Sequence, residues 1–243
     1  MAIDTSKNWL VVCNSDAGLS VKSDNSTIGK LAEIVIYNLS TGEKIRTIDL
    51  STLVQGGHFL NDVITDNQGT IFVTDSFSPV IYKIDSKGNA SVLVNDSQFE
   101  VPQGAFGLNG IVYHPDNYLI VGRAFGGKLY KIPLDNPTQV SEITLDKSVN
   151  SLDGLLLTDP NTLVLVSNNF TGAPFKEAVY QITTTNNWST GKIKNTFSSF
   201  AGSFPTTATV INDTVYVNYG YFPDLVNQET APIETFKIQK VLF

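Results

Sequence analysis

The chain has 243 residues, a formal net charge of −7, and 16% charged against 42% hydrophobic side chains. That length buries a full core as a single domain, 1–243, and the acidic balance argues against nucleic acid or an anionic membrane as partner. No run of about 18 apolar residues offers a membrane span, and no basic region followed by an apolar one marks a signal peptide. A secreted or extracytoplasmic location would require a longer parent that carries one, so the location is unknown.

The predicted elements are short strands in five repeating units, approximately 1–57, 58–104, 105–149, 150–202 and 203–243. The first unit runs from Ala2-Ile3-Asp4 through Trp9-Leu10-Val11-Val12 to Glu33–Tyr37 and Lys44–Ile48. Its single cysteine, Cys13, follows an apolar run and has no basic neighbour in sequence, which reads as a buried, inert thiol. Residues 14–30 are rich in Ser, Asp, Gly and Asn with no apolar period, so they read as a long loop overhanging one face. The second unit opens at Asn61-Asp62 and continues through Ile71-Phe72-Val73 and Val80–Ile84 to Ala90–Leu93. The third opens at Asn109-Gly110 and the fourth at Asp153-Gly154. The fifth opens near Thr206 and ends in Glu234–Ile238. The segments I-Y-K-I, L-Y-K-I, V-Y-Q-I and T-F-K-I recur at matched places with period-2 alternation.

Self-similarity at 40–50 residues with four short strands per unit predicts an all-β fold, a β-propeller. The opening residues Asn61, Asn109 and Asp153 are 48 and 44 residues apart, and each precedes a second apolar strand by ten residues. In a radial repeat such heads converge on the axis. Three oxygen-bearing side chains there suit a hard cation, Ca²⁺ or another divalent ion. Asn and Asp ahead of a strand also cap ordinary turns, but three at matched positions favour the metal. The chain has no P-loop, no G-x-G-x-x-G, no G-x-S-x-G and no Cys/His zinc spacing.

These heads, with His58–Asp62, Val73–Phe77, Gly107–Asp116 and Phe204–Ala208, resemble the senescence marker protein, gluconolactonase and regucalcin family across essentially the whole chain. The resemblance implies a six-bladed propeller of the gluconolactonase type, of which about five blades are present here. It also implies a Ca²⁺-dependent hydrolase of lactones or other esters acting on a small-molecule substrate. Carried over residue by residue, Asn61, Asn109 and Asp153 would hold the metal. Asp153 would be nucleophile or general base. His58, three residues before Asn61 on the loop that enters the axial face, reads from its own place as an acid/base group or a substrate contact. Asp62 would orient Asn61, while Thr206 and Phe59 would face the substrate.

The departures matter. The family's first-blade Pro-Glu-Gly motif, whose glutamate is a metal ligand, does not occur. Phe59 stands where gluconolactonase-type members carry an arginine, which suggests a more apolar substrate, with Phe125, Phe170 and Phe222 as further wall candidates. A chain that lacks the first blade and a true five-bladed ring both remain open at this point, as does a non-catalytic small-molecule or partner-binding propeller. An open ring would leave two blade edges for self-association.

Overall fold

The computed structural model describes residues 1–170, 177–200, 202–227 and 233–243. Five antiparallel meanders follow one another. The first comprises β1 (Ala2–Asp4), β2 (Trp9–Ser15), β3 (Ala32–Asn38) and β4 (Lys44–Asp49). The second comprises β5 (Leu60–Thr65), β6 (Ile71–Asp75), β7 (Val80–Ile84) and β8 (Ala90–Asn95). The third runs through β9 (Leu108–His114), β10 (Tyr118–Arg123), β11 (Lys128–Pro133) and β12 (Ser141–Leu145). The fourth runs through β13 (Leu152–Asp159), β14 (Thr162–Ser167), β15 (Ala178–Thr183) and β16 (Thr190–Ser198). The fifth has three strands among the described residues, β17 (Pro205–Ile211), β18 (Thr214–Tyr219) and β19 (Ile238–Lys240), with a short helix, α1 (Phe222–Val226), between the last two. Its third strand pairs Tyr216 with Lys240. It therefore begins only at Ile238, the last residue of the Glu234–Ile238 segment that the recurring tetrapeptide suggested, because ladder register rather than local alternation sets the pairing.

Alternation within the strands ties the meanders together. In β6, Ile71 and Val73 pack toward the first meander, while Phe72 faces the third. In β10, Leu119 and Val121 face the second and Tyr118 and Ile120 face the fourth. In β14, Leu163 and Leu165 face the third and Val164 and Val166 the fifth. Strands buried on both faces read as continuous apolar runs, and each interface between blades is its own core. The outer strands of the third and fourth blades also meet in a parallel bridge, Thr144 with Thr190 and Leu145 with Gly191, which joins them into one eight-stranded sheet and covers two edges that would otherwise stand open.

The inner strands β5, β9, β13 and β17 pack side by side in chain order. Their approach is close enough to dictate glycine after the heads Asn109 and Asp153. A Cβ on Gly154 would lie 2.7 Å from the Thr206 carbonyl oxygen and from Thr207 Cα, and one on Gly110 would collide with the Asp153 carbonyl. Radial meanders with inner strands converging on a centre are the architecture of a β-propeller. No helix among the described residues is long and apolar enough to cross a membrane.

Candidate functional site

The four heads, Asn61 on β5, Asn109 on β9, Asp153 on β13 and Thr206 on β17, line one cavity of about 550 Å³, within the range of small-molecule sites. Its floor is polar and its wall is aromatic. The end of β2 at Ser15 and the long loop after it, through Asp16, Leu19 and Ser20, close one side. That loop is held by Asp16, whose carboxylate accepts from Gly18 N at 2.7 Å, Ser23 Oγ at 2.5 Å and Thr27 Oγ1 at 2.6 Å. The Ser23 and Thr27 hydroxyls hold its pKa below the usual value.

Hydrogen-bond accounting fixes the floor. The Ser76 hydroxyl donates its only proton to the Leu108 carbonyl at 2.6 Å, so the group it meets at 2.9 Å on Asn61 must be the donor Nδ2. This sets the Asn61 amide and leaves Oδ1 with no protein donor among the described residues. Asn168 is fully committed. Its Nδ2 donates to Asp153 Oδ2 at 2.5 Å and to the Pro205 carbonyl at 3.3 Å, and its Oδ1 accepts from Ser151 Oγ and Phe170 N. Asn168 thus positions Asp153 and has nothing left for a ligand. Thr206 Oγ1 accepts from Asn218 Nδ2 at 3.3 Å and keeps its own proton to donate.

Burial pushes the Asp153 carboxyl up to about 7, and the nearby Asp62 carboxylate pushes in the same direction. The amides of Asn168 and Asn109 pull only partly against them. Asp62 is itself raised by burial. It does not bond Asn61 as the sequence suggested. Its carboxylate instead accepts from the backbone N–H of Val63 at 2.9 Å and of Ile111 at 3.2 Å, and the Met1 ammonium lies 3.8 Å away. It stands where the next two blades carry glycine, so it reaches the neighbouring inner strand and supports it rather than the head beside it.

His58 is also placed otherwise than the sequence suggested. It is buried and absent from the cavity lining. Its Nδ1 lies 2.8 Å from Asp75 Oδ2, and Tyr82 Oη donates to the same oxygen at 3.2 Å. Asp75 Oδ1 meanwhile accepts the N–H groups of Phe59, Phe77 and Ser78. The Asp75 hydrogen bond raises the His58 pKa. Three residues before a head is close in sequence, but the ring turns back onto its own blade because Asp75 captures it. It ties the entering loop and does not line the cavity.

The wall is built from Phe59, Phe106, Phe170, Phe204 and Phe222, with Phe77 behind them. The six form a connected chain of ring contacts with centroids 4.7–6.0 Å apart. Phe125 is exposed and takes no part. Two residues that stand two places before heads, Ser151 and Phe204, have φ of 54° and 50°, a conformation rare for side chains of their size and found at functional rims. Sequence reading missed Asn168, Ser76, Phe106 and Phe204. Ser76 and Asn168 both lie fifteen residues after a head, which is the one signal that pointed to them.

No protein-family model matches the chain, and no curated protein matches it significantly. Solved structures do. A chain of a nidogen/laminin complex is similar at a TM-score of 0.61 and 18% identity, over 90% of this chain and 70% of that one. The fold is a β-propeller. Virginiamycin B lyase from Staphylococcus aureus is similar at a TM-score of 0.55 and 17% identity, over 86% and 67%. A protein of unknown function from Bacteroides caccae is similar at 0.54 and 16%, over 84% and 68%. At these identities the likeness is one of fold.

Among the described residues, no three His, Cys, Asp or Glu side chains come together as a metal cluster. The floor offers neutral amide oxygens and one carboxylate instead. Their type would suit a hard cation, and a donor set with a single formal charge would hold one weakly.

Proposed function

We propose that this propeller is a hydrolase of lactones or other small esters, working with Ca²⁺ or another divalent cation at the floor of the axial cavity. The observation that carries the reading is that Asn61, Asn109 and Asp153, the heads of three successive inner strands, line one cavity, with Asn61 Oδ1 left without a protein donor. Asn61, Asn109 and Asp153 would hold the cation, which when bound supplies Lewis-acid polarisation of the ester carbonyl. The remaining roles fall to the chain itself. Asp153, steadied by Asn168, takes the proton at its carboxylate as general base. The Thr206 hydroxyl donates to a substrate oxygen, and the phenylalanine wall binds the apolar part of the ester and excludes water. The motif resemblance to the gluconolactonase family supports the same reaction class, while Phe59 in the arginine place moves the substrate away from sugar acids.

The test is turnover of a panel of aryl and alkyl lactones and esters, with and without Ca²⁺, on the parent and Asp153→Asn. The expected result is cation-dependent hydrolysis that Asp153→Asn lowers about 100-fold or more. Running it in water carrying a heavy oxygen isotope checks the class, since a hydrolase puts that oxygen into the acid product and a lyase, the class named for the Staphylococcus aureus neighbour, does not. A second reading follows from the low formal charge of the donor set. In that case the propeller is non-catalytic and holds a small ligand, and saturable binding without turnover on any substrate would establish it.

A further inference from the structure

The cavity has a charge pattern that the hydrolase reading does not use. Its ionisable lining side chains, among the described residues, are Asp16 and Asp153, with Asp62 close behind Asp153. No Lys, Arg or His lines it among those residues. The Asp16 carboxylate is already satisfied by one amide and two hydroxyls, whereas Asp153 is met, among the described residues, by side-chain amides alone. Above this floor stand phenylalanine rings packed edge to face, Phe106 against Phe170 at 4.7 Å and 85° and Phe170 against Phe204 at 75°. A carboxylate at the bottom of a box of aromatic rings, with no cation of its own, is the environment that recognises an organic cation. The anion takes the charge, and the ring faces stabilise it where water is excluded. The same pattern disfavours anions, which would meet like charge and find no donor cluster.

We propose that the axial cavity binds hydrophobic organic ammonium compounds, with the cationic nitrogen against the Asp153 and Asn61 oxygens and the apolar body against the phenylalanine wall. This occupies the cavity of the proposed hydrolase but needs neither a metal nor turnover, so the two readings fail separately. An ammonium compound and a divalent cation compete for the same oxygens.

The test is calorimetric titration, in the presence of a chelator, with three probes of one shape: naphthylmethylammonium, naphthalenemethanol and naphthoate. The ammonium probe is expected to bind about tenfold or more tightly than the alcohol, and naphthoate is expected not to saturate. Asp153→Asn, which conserves volume, brings the ammonium probe to the level of the alcohol and leaves the alcohol unchanged. Phe170→Leu, at a half-exposed ring, weakens the ammonium probe several-fold more than the alcohol, because leucine keeps apolar area and loses the ring face. Replacing the chelator with Ca²⁺ raises the apparent dissociation constant of the ammonium probe. Equal binding of ammonium and alcohol overturns the proposal, and so does an ammonium affinity indifferent to Asp153→Asn in a variant whose circular dichroism matches the parent. Ammonium binding without ester hydrolysis leaves this proposal standing and removes the hydrolase; hydrolysis without ammonium selectivity does the reverse.

Discussion

Asp153→Asn should make the metal-free chain more stable at mildly alkaline pH, and the size of the gain can be worked from the site. Burial and the neighbouring Asp62 hold the Asp153 carboxyl at about 7 instead of the ordinary 3.8. A folded-state pKa above the unfolded one contributes stability that is complete below the unfolded value and lost as pH rises through the folded value. The loss therefore runs from about pH 4 to somewhat above pH 7. The difference, about 7 less 3.8, is about 3.2, which at about 1.36 kcal/mol per unit is about 4 kcal/mol. Asp153 is half-buried at an open cavity, so screening reduces this to ~1–3 kcal/mol. Asp62, raised for the same reason, adds in the same direction. Asparagine keeps an oxygen for Asn168 Nδ2 and removes the ionisation. Urea unfolding in a chelator should show parent and variant alike near pH 4, with the variant ahead by ~1–3 kcal/mol near pH 8, read as a shift in midpoint at constant slope. Ca²⁺ should restore the parent near pH 8 by mass action and leave the variant unmoved. A parent whose stability is flat or rises across that window, or a variant less stable near pH 8, would refute the account of the floor.

Three further outcomes follow from the geometry. Gly110→Ala drives a Cβ into the Asp153 backbone and should cost ~3 kcal/mol or more, lowering Tm by roughly 6–12 °C; Gly122→Ala on the next strand meets nothing nearer than 3.6 Å and should change Tm by at most a few degrees. His58→Asn breaks the buried pair with Asp75 and should cost roughly 3 kcal/mol, with the proposed ester turnover unchanged at permissive temperature. Because its folded pKa is raised, the stability His58 contributes is full below its unfolded value and fades as pH rises above it, a slope that survives in Asp153→Asn and disappears in His58→Asn. Cys13, whose thiol burial pushes up to about 12, should resist alkylation in the native protein near pH 8 and react only on unfolding.

How much was legible in the sequence depended on whether a residue's neighbours lie on its own strand or on the next blade. The strands β5, β9 and β13 announce themselves, because each head, its following glycine or acid, and the apolar strand ten residues on obey a local period. The convergence of Asn61, Asn109 and Asp153 on one cavity follows from that period and radial repetition together. The role of His58 does not, since Asp75 seventeen residues later decides where its ring points. Asp62 looks like a partner for Asn61 until the Ile111 N–H of the next blade claims it. The wall shows the same division. Phe59 was visible from its place two residues before a head, and Phe170 and Phe222 from their loops after second strands, whereas Phe106 and Phe204 enter from the approach to the following inner strand, strained at Phe204.

The residues that order the site recur once this cross-blade logic is recognised. Ser15 donates to the Leu60 carbonyl at 3.2 Å, Ser76 to that of Leu108 at 2.6 Å and Asn168 to that of Pro205 at 3.3 Å. Each acceptor immediately precedes the head of the next blade, so every clasp sets the height at which the next head stands. Ser76 does this for Asn109 while orienting the Asn61 amide with its lone pair, so one hydroxyl positions two candidate cation oxygens without lining the cavity itself. The third blade has Ala124 at the matching position, which cannot make the bond. Ser76→Ala should therefore cost ~1–3 kcal/mol, because it leaves a buried carbonyl without its donor. It should also weaken the proposed Ca²⁺ binding severalfold by freeing the Asn61 amide to rotate. Ser76→Thr, which keeps the hydroxyl, should recover both. A Ser76→Ala variant that loses stability but binds the cation as the parent does would show that Asn61 is not held by this clasp and that its oxygen contributes nothing to the site.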